Sequence, residues 1–252
     1  MNKLSAEESF TRAVAGLSGM DNLAFKGNAV IKSGNGELHN QAFAFQGQLQ
    51  DHKLLTITTS KSPPSSTKVA GDLSENAYSE GLKGKLQYDG EKWHSLADGH
   101  SNADWMARMN PLEQLKLLGD SDKKITEEVR AARGTKILRI KLSPSASKEM
   151  TKSTLTSQMQ AIRSRMDQKG DALYTDDPKV KARLLAIWER ENQIMNRLLD
   201  KSNVNTVFHL TIDKKTYLPS RLSSERTIST ASSKGQKRDE TLVSDILFMD
   251  YQ

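Results

Sequence analysis

Two adjacent carboxylates, Glu127 and Glu128, are the side chains of this sequence whose types could support acid–base chemistry. A pair of carboxyl groups can share the acid and base roles only if both reach the same bond. The surrounding segment, Lys124 to Ala131, is predicted to form a strand, and neighbouring side chains on a strand point to opposite faces. We therefore expect that these two side chains do not act as a pair.

Metal chemistry would need histidines or acids at the spacing of metal ligands. Of the five histidines only His94 and His100 are close in sequence, and no HxH or HExxH pattern occurs. The segment Asp120-Ser121-Asp122 begins like a calcium loop but lacks the glycine and the terminal glutamate that such a loop requires. The chain has no cysteine, which removes thiol catalysis, thiolate metal sites and disulfides. We expect neither a metal nor another cofactor.

The motifs of nucleophilic and nucleotide chemistry do not occur in this sequence. There is no GxSxG, no P-loop and no GxGxxG, and Gly34-Asn35-Gly36 is predicted to be a hairpin turn. The net charge is +6, but lysine and arginine are scattered and form no basic stripe with interleaved aromatic residues. We therefore expect that the chain is not an enzyme, has no catalytic residue and does not bind nucleic acid.

The composition is that of a folded protein. With 252 residues, 36% of them apolar and 27% charged with mixed signs, the chain can bury a sizeable core. No segment approaches the ~20 apolar residues that span a bilayer, and the N-terminus lacks a charged-then-apolar signal region. Two interpretations stay open, a cytosolic protein or a chain from which an export segment was removed.

Alternation of apolar and polar residues predicts roughly nine or ten strands in one antiparallel sheet with a single apolar face. The clearest signal lies between Thr206 and Arg221. There an alternating run ends at the polar turn Asp213-Lys214-Lys215, and a second strand that includes Tyr217 and Leu218 is predicted to follow. Asp89-Gly90, flanked by two short alternating runs, predicts a further hairpin.

Helical periodicity is interleaved with these strands. Ser5-Ala6-Glu7-Glu8 has the form of a capping box that opens a short amphipathic helix, and Asn110-Pro111 is a favourable start for another. Between residues 145 and 202 two long antiparallel helices are predicted to pack along their apolar stripes. The stripe of the second helix consists of Val180, Leu184, Ile187, Ile194 and Leu198.

The order of these pieces resembles the LolA/LppX-type lipoprotein family, the outer-membrane-lipoprotein-sorting type. Three motifs carry the resemblance: the opening helix with the strand Phe25 to Val30, the Asn110 to Leu118 helix with the hairpin that ends at Ile140, and Leu210 to Pro219. Together they cover nearly the whole chain except residues 145–202, where the family commonly has a much shorter connection. Each motif alone is weakly specific, and it is their order that points to the family.

The resemblance implies an α+β fold, a curved antiparallel β-sheet half-barrel covered by helices. It would be one domain over residues 1–252, with a helical hairpin inserted at residues 145–202 as a subdomain. In that family the gap between sheet and helices holds a lipid or a lipoprotein acyl chain. Gram-positive members are tethered outside the cell membrane through an N-terminal lipidated cysteine. Because that cysteine is absent here, the interpretation requires that the signal peptide and anchor were removed.

The resemblance also indicates where such a cavity would lie. Each candidate residue taken alone is better explained by core packing between sheet and helices, so the cavity depends on the resemblance. The eight candidates are Phe43, Phe45, Leu55, Ile57, Trp93, Trp105, Leu138 and Ile140.

The helical hairpin is interpreted either as packing on the sheet or as a lid or docking surface for a protein partner. Four apolar residues off the main stripe are the candidate partner contacts: Leu185, Trp188, Met195 and Leu199. Arg183, Arg190 and Arg197 form a basic ridge, which is predicted to be solvated, with contact to an anionic membrane surface as the alternative.

We therefore expect an extracytoplasmic, membrane-anchored lipoprotein that binds a lipid or other hydrophobic small molecule in the sheet–helix cavity without catalysing a reaction. The alternative is a regulatory or sensor ectodomain that binds a protein partner through the helical hairpin. A cytosolic protein of unrelated chemistry is a more distant third.

Overall fold

The computed structural model describes residues 4–33, 41–62, 81, 83–96, 103–168, 174, 176–231 and 237–251. Ten strands occur in this part of the chain: β1 (Asn22–Ser33), β2 (Gln41–Gln50), β3 (Leu54–Ser62), β4 (Lys83–Tyr88), β5 (Trp93–Ser95), β6 (Lys123–Glu127), β7 (Thr135–Leu142), β8 (Asn203–Asp213), β9 (Pro219–Ala231) and β10 (Lys237–Tyr251). They form one curved antiparallel sheet in the order β5-β4-β3-β2-β1-β10-β9-β8-β7-β6. The sheet is open, with β5 and β6 at its edges, and the first and last strands pair at its centre.

Five helices accompany the sheet among the described residues: α1 (Ala6–Ser18), α2 (Ala103–Ala107), α3 (Pro111–Asp120), α4 (Pro144–Asp167) and α5 (Pro178–Lys201). The predicted capping box of α1 is confirmed, because the Glu8 backbone N–H donates to the Ser5 hydroxyl at 3.1 Å and the Ser5 N–H donates to the Glu8 carboxylate at 2.7 Å. The other three long helices each begin with proline after a capping side chain, which explains why they start where they do.

One face of the sheet, called here the covered face, carries the core. Phe10 of α1 and Leu115 of α3 pack in one continuous cluster with Phe25, Leu138 and Leu210 of the strands. The opposite face, called here the open face, carries alternating polar side chains. The predicted α+β fold, a curved sheet covered by helices, is confirmed.

Two glycines on the covered face leave room for phenylalanine rings. Gly47 lies opposite Phe25 in the β1–β2 register, and Gly27 lies opposite Phe45. A Cβ atom on Gly47 would lie 2.4 Å from the Phe25 Cζ atom, and one on Gly27 would lie 2.5 Å from the Phe45 Cζ atom. The two rings meet edge to face, with centroids 6.4 Å apart. The pairing of glycine with phenylalanine therefore lets two large rings pack close to the centre of the sheet.

The turn between β8 and β9 is longer than predicted. The prediction that Tyr217 and Leu218 belong to the second strand is wrong, because β9 begins at Pro219. Asp213 Oδ1 accepts hydrogen bonds from two backbone N–H groups of the turn, both at 2.8 Å, and Tyr217 has a positive φ of 64°. The carboxylate therefore organises an Asx-type turn that extends beyond the three polar residues.

The helices α4 and α5 pack on each other, but along a different face from the predicted one. Trp188 Nε1 of α5 donates a hydrogen bond to the backbone oxygen of Met159 of α4, at 2.8 Å. The prediction that the main stripe of α5 forms this contact is wrong. Four of its members are 36% to 51% exposed: Val180, Ile187, Ile194 and Leu198.

Candidate ligand-binding site

The structure brings the described members of the predicted cavity set together on the covered face. Phe45, Leu55, Ile57, Trp93, Leu138 and Ile140 are buried in one cluster, and Phe43 is partly buried against it. The side chain of Trp105 lies outside the described residues. Four of these side chains have no exposed surface, which indicates packed core at their positions. That any of them contacts a ligand stays a prediction.

Burial on the covered face is incomplete toward one end of the sheet. Leu23 and Phe25, near one end of β1, are buried, whereas Ile31, near the other end, is only partly buried. Ile31 lies opposite Leu242 of β10 in the register, and both are partly buried. This end, called here the half-buried end, comprises Ile31, Phe43, Ile228 and Leu242. It is an apolar surface on which the covering by described residues is partial.

Arg226 lies in the same row of the covered face as Ile31 and Leu242. In the register it is opposite Leu242 of β10 on one side and Thr206 of β8 on the other. Burial lowers the pKa of Arg226, and the charge of the nearby Arg108 lowers that pKa further. Apolar side chains of the half-buried end therefore adjoin a partly buried guanidinium. Neither Arg226 nor Thr206 belongs to the predicted site.

A signal for Arg226 is present in the sequence. Along β9 the residues Leu222, Ser224, Arg226 and Ile228 alternate with polar ones, and the alternation places the arginine on the apolar face. A charged residue at an apolar position of a strand is unusual unless it is paired or functional. Arg226 meets this description from the sequence alone.

A second cation of the covered face, Lys136, lies elsewhere on the sheet and has several partners. Its Nζ atom donates to the Ser9 hydroxyl at 3.3 Å, lies 3.9 Å from a Glu127 oxygen and lies 5.7 Å from the centroid of the Tyr217 ring. Only 6% of Lys136 is exposed, so these contacts replace the water that it loses.

The two adjacent carboxylates point to opposite faces, as predicted. Glu127 approaches Lys136 on the covered face, whereas Glu128 lies 3.8 Å from Arg139 and 3.7 Å from His209 on the open face. They cannot meet at one bond, and the predicted placement on opposite faces is confirmed.

A groove of about 580 Å³ lies elsewhere, at β1, β2, β3 and β10. Most of the residues that line it alternate toward the open face, among them Lys26, Gln46, Asp245 and Leu247. Of the predicted cavity residues only Phe45 contributes to it. It is therefore not the gap between sheet and helices that the resemblance implies.

The candidate partner contacts of the helical hairpin face inward in part. Trp188 is held by its hydrogen bond to α4, and Leu199 is 4% exposed. Leu185 and Met195 are partly buried. The predicted basic ridge is exposed at Arg183, Arg190 and Arg197. The accessible apolar surface of α5 is thus the stripe at Val180, Ile187, Ile194 and Leu198.

One of the two histidines that are close in sequence lies in the β4–β5 hairpin. His94 Nε2 lies 2.6 Å from Asp89 Oδ2 in the β4–β5 hairpin, and His100 lies outside the described residues. In the described part of the chain no three histidine or acidic side chains come close enough to hold a metal ion. Among the described residues, no helix is both long enough and apolar enough to cross a membrane.

Comparison with solved structures returns matches of low sequence identity. No protein-family model matches the sequence, and a search of curated proteins finds no match either. LolA-superfamily structures are among the neighbours. A LolA-superfamily protein from Nitrosomonas europaea aligns at 9% identity and TM-score 0.27, covering 98% of this chain and 93% of its own. LprF from Mycobacterium bovis aligns at 9% identity and TM-score 0.34, covering 98% and 92%.

A structure of lipid–protein interactions in lipovitellin aligns at 7% identity and TM-score 0.40. The alignment covers 92% of this chain but only 25% of the lipovitellin chain. Because these TM-scores lie below 0.5, the roles of the neighbours are not transferred to this protein, and the functional argument rests on its own geometry.

Proposed function

We propose that this protein is a non-catalytic binding protein that holds a lipid or other apolar ligand at the half-buried end of the covered face. The observation that carries the proposal is the change along β1 from the buried Phe25 to the partly buried Ile31 on the same face. Phe43 and Leu242, on the two neighbouring strands, extend this apolar surface sideways. A binding surface for an acyl chain is mostly apolar and carries few polar groups.

The driving force would be the burial of apolar surface. Each CH₂ group removed from water contributes about 0.8 kcal/mol, so micromolar binding, at about −8.2 kcal/mol, requires roughly ten buried methylenes before the cost of association is added. No bond would be made or broken, and selectivity would come from the shape of the wall and from its few polar groups.

Two substitutions on one strand test this proposal. Leu242→Asp places a carboxylate on the proposed wall, whereas Leu247→Asp places the same group on the open face of the same strand, where Leu247 is already 38% exposed. We expect the first variant to bind a fluorescent long-chain alcohol at least tenfold more weakly and the second to bind it like the wild type. Equal affinities in all three proteins would refute the proposal, provided that circular dichroism shows the variants to be folded.

The proposal extends to an extracytoplasmic protein tethered to the cell membrane, and the support for this is the sequence resemblance. The mass of the mature protein isolated from its own cells tests it. A lipid-modified residue ahead of this chain is the expected result. An unmodified protein recovered from the cytosol would contradict it.

A second candidate function is binding of a protein partner through α5. The observation that favours it is the stripe of four exposed aliphatic residues, which lie on one side of the helix because they are separated by one or two helical turns. A photoreactive residue in place of Ile187 should crosslink one protein in native cells, and a further Ile194→Asp change should abolish the crosslink. The same photoreactive residue in place of the exposed Glu189 is the control. Identical products at both positions would count against a docking surface.

A further inference from the structure

The covered face holds a partly buried guanidinium whose Nε–H group has no hydrogen-bond acceptor among the described residues. Arg226 lies four residues from Leu222, which is 1% exposed, so both side chains alternate onto the covered face of β9. Its Nε atom is buried and makes no hydrogen bond within the described residues. The described residues also include no ion-pair partner for it.

Another arginine of the same strand makes the contrast clear. Arg221, on the open face, donates from Nε and Nη2 to the two carboxylate oxygens of Asp245, at 2.5 Å and 3.0 Å. This fork-to-fork geometry is how an arginine is normally satisfied. Arg226 has the same donors in a drier place, where an unmatched guanidinium is more costly.

The other polar groups of this region add donors rather than negative charge. Thr206, opposite Arg226 in the register, is fully buried, and its hydroxyl has no hydrogen-bond partner among the described residues. Ser147 of α4, the helix that packs along β8, is also fully buried, and its hydroxyl has no hydrogen-bond partner among the described residues. Arg108, between α2 and α3, is close enough for its charge to act on Arg226. The described groups near Arg226, a second guanidinium and the neutral Thr206 hydroxyl, do not balance its charge.

We propose that Arg226 binds the anionic head group of an amphiphile, a carboxylate or a phosphate, whose acyl chain lies on the half-buried end. This inference rests on the proposed binding of an apolar ligand and names its chemical class. Across four neighbouring strands the register aligns Ile31, Leu242, Arg226 and Thr206, so two apolar side chains are followed by two polar ones. One end of an amphiphile would meet aliphatic side chains and the other a charge-assisted hydrogen-bond donor.

The experiment compares two probes that differ only in the head group. Affinities of a dansyl-labelled C11 fatty acid and of the corresponding alcohol are measured on the delipidated wild type, on Arg226→Gln and on Arg221→Gln. We expect the wild type and Arg221→Gln to bind the acid about tenfold to a hundredfold more tightly than the alcohol. In Arg226→Gln this preference should disappear, while the affinity for the alcohol remains.

The outcomes separate the two proposals. Binding of both probes without preference for the acid in the wild type, or a preference that survives in Arg226→Gln, would overturn the head-group site and leave the apolar site standing. Failure of the wild type to bind either probe would overturn both.

Titration with inorganic phosphate distinguishes a lipid head group from a free anion. Phosphate binding that is lost in Arg226→Gln, in a protein that binds neither amphiphile, would assign the site to a free anion and overturn the amphiphile. If Arg226→Gln does not fold, the wild type alone still decides the question. The acid should raise its melting temperature more than the alcohol does at equal concentration, and an equal rise would overturn the inference.

Discussion

The substitution Gly47→Ala tests the account of the centre of the sheet. Gly47 is buried on the covered face, and a Cβ atom at this position would lie 2.4, 2.9 and 3.0 Å from three carbon atoms of the Phe25 ring. Phe25 has no exposed surface, so its ring cannot swing aside without disturbing the core. Overpacking of this kind costs about 1–3 kcal/mol, whereas the loss of glycine freedom in the unfolded chain returns only about 0.4–1 kcal/mol.

The clash therefore outweighs the entropic gain, and we expect Gly47→Ala to lower the free energy of unfolding by about 1–2 kcal/mol. For a chain of this length the melting temperature should fall by about 2–8 °C. Urea unfolding followed by circular dichroism measures the change. Gly119→Ala is the matched control, because its Cβ would meet nothing within 4 Å and α3 should gain about 0.5–1 kcal/mol.

A double-mutant cycle identifies the ring as the cause. In a Phe25→Leu background the smaller side chain leaves room for the new methyl group, so Gly47→Ala should cost less than about 0.5 kcal/mol there. The same loss in both backgrounds would refute the argument that the glycine is required by the phenylalanine opposite.

Three further predictions concern local contacts. Ser5→Ala should lower stability by about 1 kcal/mol, since the capping box of α1 loses a hydroxyl acceptor, and urea unfolding would reveal it. Asp89 accepts hydrogen bonds from the backbone N–H groups of Lys92 and Glu91 and from His94, which hold its pKa below the ordinary value. The Asp89 carboxylate should stabilise the fold fully at a pH above the unfolded pKa of about 3.9, and this stabilisation should be lost as the pH falls through the lowered pKa. The wild type and Asp89→Asn should therefore have the same stability in strong acid. Trp188→Phe removes the hydrogen bond between α5 and α4 and should lower the free energy of unfolding by about 0.5–1.5 kcal/mol. Amide hydrogen exchange should become faster than in the wild type in α5 but not in β8.

Much of the sheet could be predicted because its signals are local. The alternation in β8 correctly separates Phe208, Leu210 and Ile212, all buried, from residues that face the other way. Asp89-Gly90 marked a real hairpin, with Gly90 at a positive φ of 108°. Such signals depend on residues within a few positions of each other, and the tertiary fold had only to agree with them.

The packing face of α5 could not be decided in the same way. The helix carries two apolar sides, one with Ile187 and Ile194 and one with Trp188 and Leu199, and periodicity fits either of them. In the structure the second side packs inward, where the indole N–H finds the Met159 backbone oxygen. That acceptor lies 29 residues away in sequence, so no local pattern contains it.

Which apolar side chains would contact a ligand could not be decided from the sequence, for a related reason. The predicted cavity residues are large apolar side chains, and such side chains tend to be packed in the core. Four of them have no exposed surface: Leu55, Ile57, Leu138 and Ile140. An apolar binding wall needs partial burial, which depends on what lies above the strand and not on residue type. The sequence does contain a signal of the opposite kind, the charge of Arg226 at an apolar position of β9.

The two cations of the covered face lead to a final prediction, because only one of them is compensated by the described residues. Lys136 has the Ser9 hydroxyl and Glu127 beside it, whereas Arg226 has a like charge nearby. Replacing Arg226 by methionine keeps an unbranched side chain and removes an uncompensated charge, so the delipidated protein should gain about 0.5–2 kcal/mol in stability. Lys136→Met should instead lose about 1–3 kcal/mol, since the fully buried Ser9 hydroxyl loses the ammonium group that donates to it.

Urea unfolding of the ligand-free variants measures both changes. An arginine that is retained at the expense of stability is expected at a binding site, where the ligand completes the charge balance. A loss of stability in ligand-free Arg226→Met as large as that in Lys136→Met would mean that the guanidinium is already satisfied within the protein, and the reasoning that assigns it to a ligand would be refuted.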